Sequence, residues 1–414
     1  MHCSRQLAAL LIPALAFAVP RPGFAQTHVV LGVDRLAEGL PKPLQGKRVG
    51  LITNHTGRDR NGTPTIDLLG ARKDMKLVAL FGPEHGIRGV SMGRVNDDKD
   101  EKTGLPVYSL FGAINKPTDA MLANVDALVF DIQDVGVRQY TYLSTMALAM
   151  QAAAQKKIPF VVLDRPNPVG GIIVEGNIRE PGMESFVGLY PIASRHGLTA
   201  GELAELYNKE FRIGADLHVV TLKGWKRTLW SDQTDLPWVK PSPNLPTFAG
   251  VINYPGTVFF EGTNLSEARG SDNPFEQAGA PWLRAQEVAD SMNARHLPGV
   301  QFKAVDFAIA PGSRKFPGQT VHGVRMVVTD RETYRPVAAN LRLIEVIRRL
   351  HPNDFQWRRS TASPTAPETY YFDTLTGSKR TRAAIENGTL ETLLAEWDRD
   401  AQKFAEMRKP YLFY

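Results

Sequence analysis

The chain has 414 residues, a formal net charge of +6 and a single cysteine, Cys3. The charges are interspersed and form no basic run, which argues against nucleic acid as a partner. Residues 1–25 have the pattern of a secretory signal peptide, with an apolar run at 7–19 and an expected cleavage site after Ala25. That run is too short for a permanent membrane span, so we expect an exported protein without stable membrane insertion, most simply in the bacterial periplasm.

Removal of this leader would also remove Cys3, Arg5 and Arg21, which lowers the formal net charge by two, to +4. A mature chain without a thiol cannot form a disulfide, use a cysteine nucleophile or bind a metal through thiolates. The 389 residues left after subtracting 25 from 414 are too many for one compact core. We therefore predict two domains, at residues 26–240 and 241–414.

The N-terminal half alternates predicted strands and helices. Continuous apolar runs predict strands at residues 47–53, 76–81, 126–131, 159–164 and 216–222. Helices are predicted at residues 66–73, 141–157 and 199–211, the last with a capping box formed by Thr199 and Glu202. This alternation is typical of an α/β fold with a Rossmann-like parallel sheet that is covered on both faces.

The pattern changes at residues 235–248, which are rich in proline and predict a loop near the domain boundary. Beyond them we predict strands at 299–310 and 321–330 and amphipathic helices at 335–352 and 390–413. The sequence thus predicts a smaller α+β C-terminal domain, with the functional site in the cleft between the two domains.

Polar side chains follow the first four predicted strands of the first domain, and Arg195 and His196 precede a predicted helix. In an open parallel sheet, ligands bind beyond the carboxyl ends of the strands. We therefore expect one shared cleft lined by Asn54, His55, Glu84, His85, Asp131, Asp134, Arg138, Tyr140, Arg165, Asn167, Arg195 and His196.

Two kinds of site receive little support. A nucleotide site would require a glycine-rich phosphate loop, and neither G-x-G-x-x-G nor G-x-x-x-x-G-K-[ST] occurs. A metal site could draw on His55, His85, His196 and His322 together with Asp131 and Asp134. The histidines are scattered and lack the H-x-H or H-E-x-x-H spacing of metal motifs, so we expect neither a metal nor another cofactor.

Paired carboxylates are the third kind of site. Neighbouring strands lie about 4.8 Å apart, so carboxylates on neighbouring or next-but-one strands can face each other at about 5–9 Å. This is the separation that glycoside hydrolysis uses. We predict Glu84 as the acid, with Asp131 and Asp134 competing for the anionic role, while Asp131 could alternatively only cap the backbone after its strand.

The second domain contains a polar and aromatic segment at residues 259–282. Amides and carboxylates bind sugar hydroxyl groups, and aromatic faces stack on pyranose rings. We predict that Glu261, Asn264 and Arg269 bind substrate from this side, although a solvated loop is the alternative.

Long motifs resemble the exo-β-N-acetylmuramidase family: "GLITNHTG", "LFGPEHGIRG", "DALVFDIQDVGVRQYTYLSTM", "PIASRHGLTAGELA" and "YPGTVFFEGTNLSEARGSDNPFEQAGAPW". The resemblance extends from about residue 28 to residue 414. It implies a Rossmann-like domain that binds no dinucleotide, and release of N-acetylmuramic acid from the non-reducing ends of peptidoglycan fragments that contain MurNAc-GlcNAc. It also implies catalytic roles for Glu84, Asp131 and Asp134.

Muramic acid carries a lactyl carboxylate, for which arginine offers a bidentate partner. The candidates are Arg138, Arg165, Arg195 and Arg269. The sequence leaves retention, inversion and assistance by the substrate's acetamido group open. Two other hypotheses stay open: a non-catalytic periplasmic muropeptide-binding protein, and an exported metal-dependent esterase or amidase.

Overall fold

The computed structural model describes residues 26–88, 98–360 and 369–414, so the predicted leader, residues 1–25, lies outside the described residues. The strands are β1 (Arg48–Thr53), β2 (Lys76–Gly82), β3 (Asp98–Lys99), β4 (Pro106–Ser109), β5 (Ala127–Asp131), β6 (Phe160–Leu163), β7 (Glu175–Ile178), β8 (Ala193–Arg195), β9 (Leu217–Val220), β10 (Gln277–Ala280), β11 (Val300–Ala308) and β12 (Thr320–Val328). The α-helices are α1 (Thr65–Gly70), α2 (Tyr142–Lys156), α3 (Ala200–Glu210), α4 (Phe248–Thr257), α5 (Ala285–Asn293), α6 (Pro336–Leu350), α7 (Tyr371–Thr376), α8 (Lys379–Asn387) and α9 (Leu390–Met407). A search of the described ranges for a helix of sufficient length and apolarity to span a bilayer finds none.

The largest sheet has seven strands in the order β3-β4-β2-β1-β5-β6-β9. Its strands are parallel except for the short edge strand β3, which pairs antiparallel with β4. All five strands predicted from apolar runs are present, with bounds shifted by at most two residues, which confirms the parallel sheet. Strand β4 was not predicted, because its four residues, PVYS, form no continuous apolar run.

Apolar side chains cover both faces of this sheet. Alternate residues of a strand point to opposite faces, so Val49 and Leu51 of β1 pack towards α1, whereas Ile52 packs in the cluster that includes α2 and α3. Ten residues of α2 are buried, which is why its sequence is apolar around most of the helix. The sheet is therefore enclosed on both faces, and the polar side chains lie at the ends of its strands.

The C-terminal half is built on a three-stranded antiparallel sheet, β10-β12-β11. The predicted strands and helices correspond to β11, β12, α6 and α9, whereas α4 was not predicted and contains Pro255. Val324 of β12 and Leu343 of α6 belong to the same contiguous apolar cluster as Phe130 of β5. The two halves of the chain therefore share one core.

Residues 408–414 connect the C-terminal half to the large sheet. The Arg408 guanidinium donates to the carbonyl oxygens of His196 and Gly197 at 2.9 and 2.6 Å. The Tyr414 hydroxyl donates to Asp164 Oδ2 at 2.8 Å and accepts from the Leu222 N–H at 2.7 Å. This segment holds both the loop after β8 and the carboxyl ends of β6 and β9.

Replacing Tyr414 with Phe should lower the free energy of unfolding by about 1–3 kcal/mol, because a buried carboxylate loses a donor. Burial raises the pKa of Asp164 to about 6. The hydrogen bonds that Asp164 accepts favour its ionised form and offset part of this rise. Ionisation of Asp164 thus reduces stability as the pH rises through about 4 to 6. Since Tyr414 stabilises the ionised form, the loss should be larger at pH 8 than at pH 4.

Urea unfolding of both forms at the two pH values measures this difference. Tyr411→Phe is the matched control, because the Tyr411 hydroxyl donates to Glu210 at the surface. A loss for Tyr414→Phe that is no larger than that of the control, or that does not depend on pH, would contradict the assignment.

Candidate active site

The polar residues predicted at the sheet rim follow strands that lie side by side. Strand β1 lies between β2 and β5, so Glu84, after β2, and Asp134, after β5, follow next-but-one strands. This is one of the two strand arrangements on which the paired-carboxylate hypothesis depends. The residues that surround Glu84 come from both halves of the chain.

Glu84 lies in a tight turn directly after β2. His85 and Gly86 both have a φ of 71°, a left-handed conformation that is unfavourable for a residue with a Cβ such as His85. The Gly86 N–H donates to the carbonyl oxygen of Pro83 at 2.9 Å and closes the turn. A non-glycine residue held in this conformation is typical of a functional loop.

The Glu84 side chain is half-buried at the N-terminal end of α2. Its Oε2 accepts a hydrogen bond from the Thr141 hydroxyl at 2.7 Å. Thr141 is the N-cap residue of α2, yet its side chain does not cap the helix, because the hydroxyl is directed to Glu84. Glu84 is therefore a carboxylate with one oxygen fixed in place.

The C-terminal half provides the facing wall. Electrostatic interactions connect Glu84 with Tyr254 of α4, with Glu261 and Arg269 in the segment that follows, and with Tyr371 at the start of α7. Burial raises the pKa of Tyr371 to about 12. Tyr254 and Tyr371 were not identified from the sequence, since isolated tyrosines carry no motif, and only the folded chain brings them to Glu84.

The predicted residues Glu261 and Arg269 belong to a half-buried charge cluster with Glu267 and Lys315. Arg269 contacts Glu261 at 2.6 Å and Glu267 at 3.2 Å, and Lys315 contacts Glu267 at 2.9 Å. Burial raises the pKa of Glu261, whereas Lys315 and Arg269 outweigh burial and lower the pKa of Glu267. Two carboxylates and two cations thus balance within this cluster.

Asp131 is fully buried at the end of β5, and both of its carboxylate oxygens accept hydrogen bonds within the protein. Its Oδ1 and Oδ2 accept from Arg165 Nε and Nη2 at 2.5 and 2.9 Å, and Oδ2 also accepts from the Thr65 hydroxyl. Arg165 Nη2 in addition donates to the Arg58 carbonyl oxygen at 2.7 Å. The role of Arg165 in binding substrate stays a prediction, and its charge is paired with that of Asp131 inside the protein.

Asp134 differs from Asp131 in that one of its carboxylate oxygens has no hydrogen-bond partner among the described residues. Asp134 Oδ2 accepts from the Gly136 N–H at 2.6 Å, whereas the buried Oδ1 has no hydrogen-bond partner within residues 26–88, 98–360 and 369–414. His196 Nε2 lies 3.8 Å from Oδ2 and is likewise buried without a partner in those ranges. Since His196 Nδ1 accepts from the Leu198 N–H at 3.1 Å, a neutral ring carries its proton on Nε2. Unsatisfied buried polar groups of this kind are typical of a binding site.

His55 and Asn54 lie after β1 in the same rim. The His55 Nε2–H donates to the Lys240 carbonyl oxygen at 2.7 Å, and burial lowers the pKa of the ring. The neutral ring therefore has its lone pair on Nδ1, which is buried and has no hydrogen-bond partner among the described residues. Asn54 Oδ1 accepts from the backbone and hydroxyl of Thr56, so this part of Asn54 shapes the loop.

Two further arginines that the sequence predicted to bind substrate are buried and donate to main-chain carbonyl groups. Arg138 donates to the carbonyl oxygens of Asn177, Ile192 and Thr376, and burial lowers its pKa to about 9. Arg195 is 2% exposed and donates to the Val169 carbonyl oxygen, and burial lowers its pKa to about 10. Both guanidinium groups donate hydrogen bonds to main-chain carbonyl oxygens inside the core. The sequence alone could not show these contacts.

Three other predicted residues also have structural contacts. The Asn167 side chain bonds to the backbone of Leu198 and Val169, Asn264 bonds to the backbone of residues 354 and 356, and Tyr140 packs edge-on against Tyr142 and Tyr254. In the described part of the chain, no three or more His, Cys, Asp and Glu side chains are grouped so that they could hold a metal ion.

Comparisons with known proteins cover almost the whole chain. The N-terminal model of "Exo-beta-N-acetylmuramidase NamZ" matches residues 49–249, and the C-terminal model matches residues 252–414. The "Peptidoglycan beta-N-acetylmuramidase NamZ" of Bacillus subtilis (strain 168) is 50% identical over 389 residues, which are 93% of this chain and 91% of that protein.

Two crystal structures of DUF1343 family proteins from Bacteroides fragilis NCTC 9343 have the same fold. BF0371 is 37% identical with a TM-score of 0.84, over 95% of this chain and 100% of the other. BF0379 is 30% identical with a TM-score of 0.71, and the match covers 93% of this chain and 99% of the other.

Replacing Arg165 with Met should lower the free energy of unfolding by about 3–5 kcal/mol, because Asp131 would remain buried without its partner. Adding Asp131→Asn to this variant should recover part of the loss, since the uncompensated charge is then removed. Denaturant unfolding of the three proteins measures both effects.

Arg48→Met is the control, because Arg48 pairs with Asp126 at the exposed opposite end of the sheet. Its replacement should have little effect on the free energy of unfolding. Similar losses for both arginines would contradict this role.

Proposed function

The chain belongs to the exo-β-N-acetylmuramidase NamZ family, and we propose that it is a glycosidase that releases N-acetylmuramic acid from the non-reducing ends of peptidoglycan fragments. The observation that carries this proposal is the placement of Glu84. Its carboxylate lies half-buried at the sheet rim, is held by Thr141 and faces residues of the C-terminal half. The related Bacillus subtilis protein carries the name of a peptidoglycan β-N-acetylmuramidase, and its identity over 93% of this chain supports the proposal.

We assign Glu84 as the general acid. Thr141 holds Oε2, so Oε1 is the atom that would protonate the glycosidic oxygen as the bond to the departing sugar breaks. The site combines this carboxyl with aromatic and charged side chains from the facing wall, as a saccharide cleft requires. The substrates would be fragments that end in MurNAc-GlcNAc, and no cofactor enters this scheme.

We assign the anionic role to Asp134 rather than Asp131. Asp134 Oδ1 has no hydrogen-bond partner among the described residues, whereas both oxygens of Asp131 bind Arg165. A carboxylate here can attack the anomeric carbon, activate water, or orient the substrate's 2-acetamido group for attack. The first and third routes retain the β configuration and the second inverts it, so the first anomer released separates the second route from the other two.

We also propose that the protein is exported and acts in the periplasm after cleavage following Ala25. The support is the signal-peptide pattern of residues 1–25. Expression of the full chain in a Gram-negative host should yield a periplasmic protein whose N-terminal residue is Gln26, as read by mass spectrometry. A chain that keeps residues 1–25 and stays with the cytoplasmic fraction would contradict export.

Replacing Glu84 with Gln should lower kcat by a factor of roughly 10²–10⁴, because the glutamine cannot donate the proton. Proton NMR with MurNAc-β-1,4-GlcNAc, with and without chelator, measures the release of N-acetylmuramic acid. An aryl muramide whose leaving group needs no proton should lose much less rate in the same variant. The control is Glu101→Gln, at an exposed position of the same half.

Each alternative predicts a different result. A wild-type protein that broadens the sugar signals without cleavage would be a binding protein. A chelator-sensitive release of acyl groups would indicate a metal-dependent esterase or amidase. Equal loss of rate on both glycosides would remove the acid role from Glu84.

A further inference from the structure

N-Acetylmuramic acid differs from N-acetylglucosamine by a lactyl ether that ends in a carboxylate. An enzyme that distinguishes the two sugars therefore needs a cation whose charge is available to the substrate. Arg138 and Arg195 are directed to main-chain carbonyl groups, and Arg165 is paired with Asp131. Arg269 is shared between Glu261 and Glu267. Arg138, Arg165 and Arg195 are buried, and the charge of Arg269 is balanced by two carboxylates, so none of these four arginines offers a free charge to a substrate.

Arg358 meets this requirement in another way. Its guanidinium is half-buried and stacks over the Tyr371 ring, 4.6 Å from the centroid. Arg358 Nη1 donates to the Glu261 carbonyl oxygen at 3.3 Å, so the side chain is held by a neutral group. In the described part of the chain no salt bridge joins Arg358 to a carboxylate. Glu261 and Glu267 interact with it at longer range but form their salt bridges with Arg269 and Lys315.

The backbone around Arg358 is fixed rather than loose. The Arg358 N–H donates to the Gly262 carbonyl oxygen at 2.8 Å, and the Tyr371 N–H donates to the Arg358 carbonyl oxygen at 2.9 Å. Asn264 accepts from the Gln356 N–H at 2.9 Å and donates to the Asp354 carbonyl oxygen at 2.8 Å. The segment that carries Arg358 is thus joined to the segment that carries Glu261, which faces Glu84.

The charges of this wall leave a positive excess near Arg358. The cluster of Glu261, Glu267, Arg269 and Lys315 is balanced in itself. Arg314, which is exposed, is a second cation that interacts with Arg358. Two like charges on one side of a cleft repel each other, so an anionic ligand placed between them is favoured.

We propose that Arg358, assisted by Arg314, binds the lactyl carboxylate of N-acetylmuramic acid and determines the preference for muramyl over glucosaminyl sugars. This inference rests on the proposed function, in which Glu84 acts on the glycosidic bond of the same sugar. Tyr371 connects the two, because its ring lies under the Arg358 guanidinium and interacts electrostatically with Glu84. Arg358 is then a specificity residue that takes no part in proton transfer.

The test uses two disaccharides, MurNAc-GlcNAc with its free lactyl carboxylate and the same compound with a lactyl amide. Arg358→Gln should lower kcat/KM for the carboxylate substrate by roughly 10- to 100-fold, as expected for the loss of a hydrogen bond between charged groups. The amide substrate should change by less than about threefold, because it offers no charge to lose. Arg358→Lys should keep part of the preference, since it retains the charge but not the bidentate geometry.

Arg359→Gln, at the exposed neighbouring position, serves as the matched control and should leave both rates unchanged. Thermal unfolding of each variant shows whether the fold is intact. Equal losses on both substrates would make Arg358 a structural residue and overturn the proposal, as would an unchanged preference in Arg358→Gln.

A binding measurement separates this proposal from the proposed function. Calorimetry with the monosaccharides should show that wild-type protein binds N-acetylmuramic acid more tightly than N-acetylglucosamine, and that Arg358→Gln removes the difference. If neither disaccharide is cleaved but this difference is found, the hydrolase proposal fails and the carboxylate site stands. If wild-type protein binds both monosaccharides equally, the carboxylate site is refuted even when cleavage is observed.

Discussion

A single buried ion pair, Asp131 with Arg165, holds the carboxyl edge of the large sheet together. It joins the end of β5 to the segment after β6, and hydrogen bonds to Thr65 and to the Arg58 carbonyl group add the start of α1 and the segment after β1. Taking two charges out of water is costly, so such a pair is better explained by the single geometry it imposes than by net stability. At this rim the Asp131–Arg165 pair joins structural segments, and the proposed chemistry is assigned to the carboxylates of Glu84 and Asp134 beside it.

Much of the fold could be predicted from the sequence, because buried parallel strands are continuous apolar runs and five of them were visible. The small strand β4 and helix α4 were missed. A four-residue strand is too short to show a hydrophobic pattern, and Pro255 is a residue that normally indicates the end of a helix. The site was harder to predict. A motif shows that Asp131 and Asp134 are close to a strand end, but not that one is sealed by an arginine while the other keeps an oxygen without a partner.

The arginines illustrate the same limit more clearly. Arg138, Arg195 and Arg269 all occur in motifs of polar residues, yet two are buried against carbonyl groups and the third is shared by two glutamates. The sequence specifies residue types at intervals along the chain, whereas availability of a charge depends on which distant residues pack around it. Arg358 stands in no recognised motif, and its surroundings come from segments about 100 residues apart in the chain.

The contacts of residues 408–414 have a consequence for the order in which the protein folds. Tyr414 and Asp164 are separated by 250 residues, and Arg408 reaches a loop more than 200 residues earlier. Contacts between such distant parts of a chain form late, because a long loop must first be closed. A nascent chain that already contains Glu84 and Asp134 therefore still lacks the contacts that hold the His196 loop. The proposed catalytic site is therefore complete only after residues 408–414 have docked.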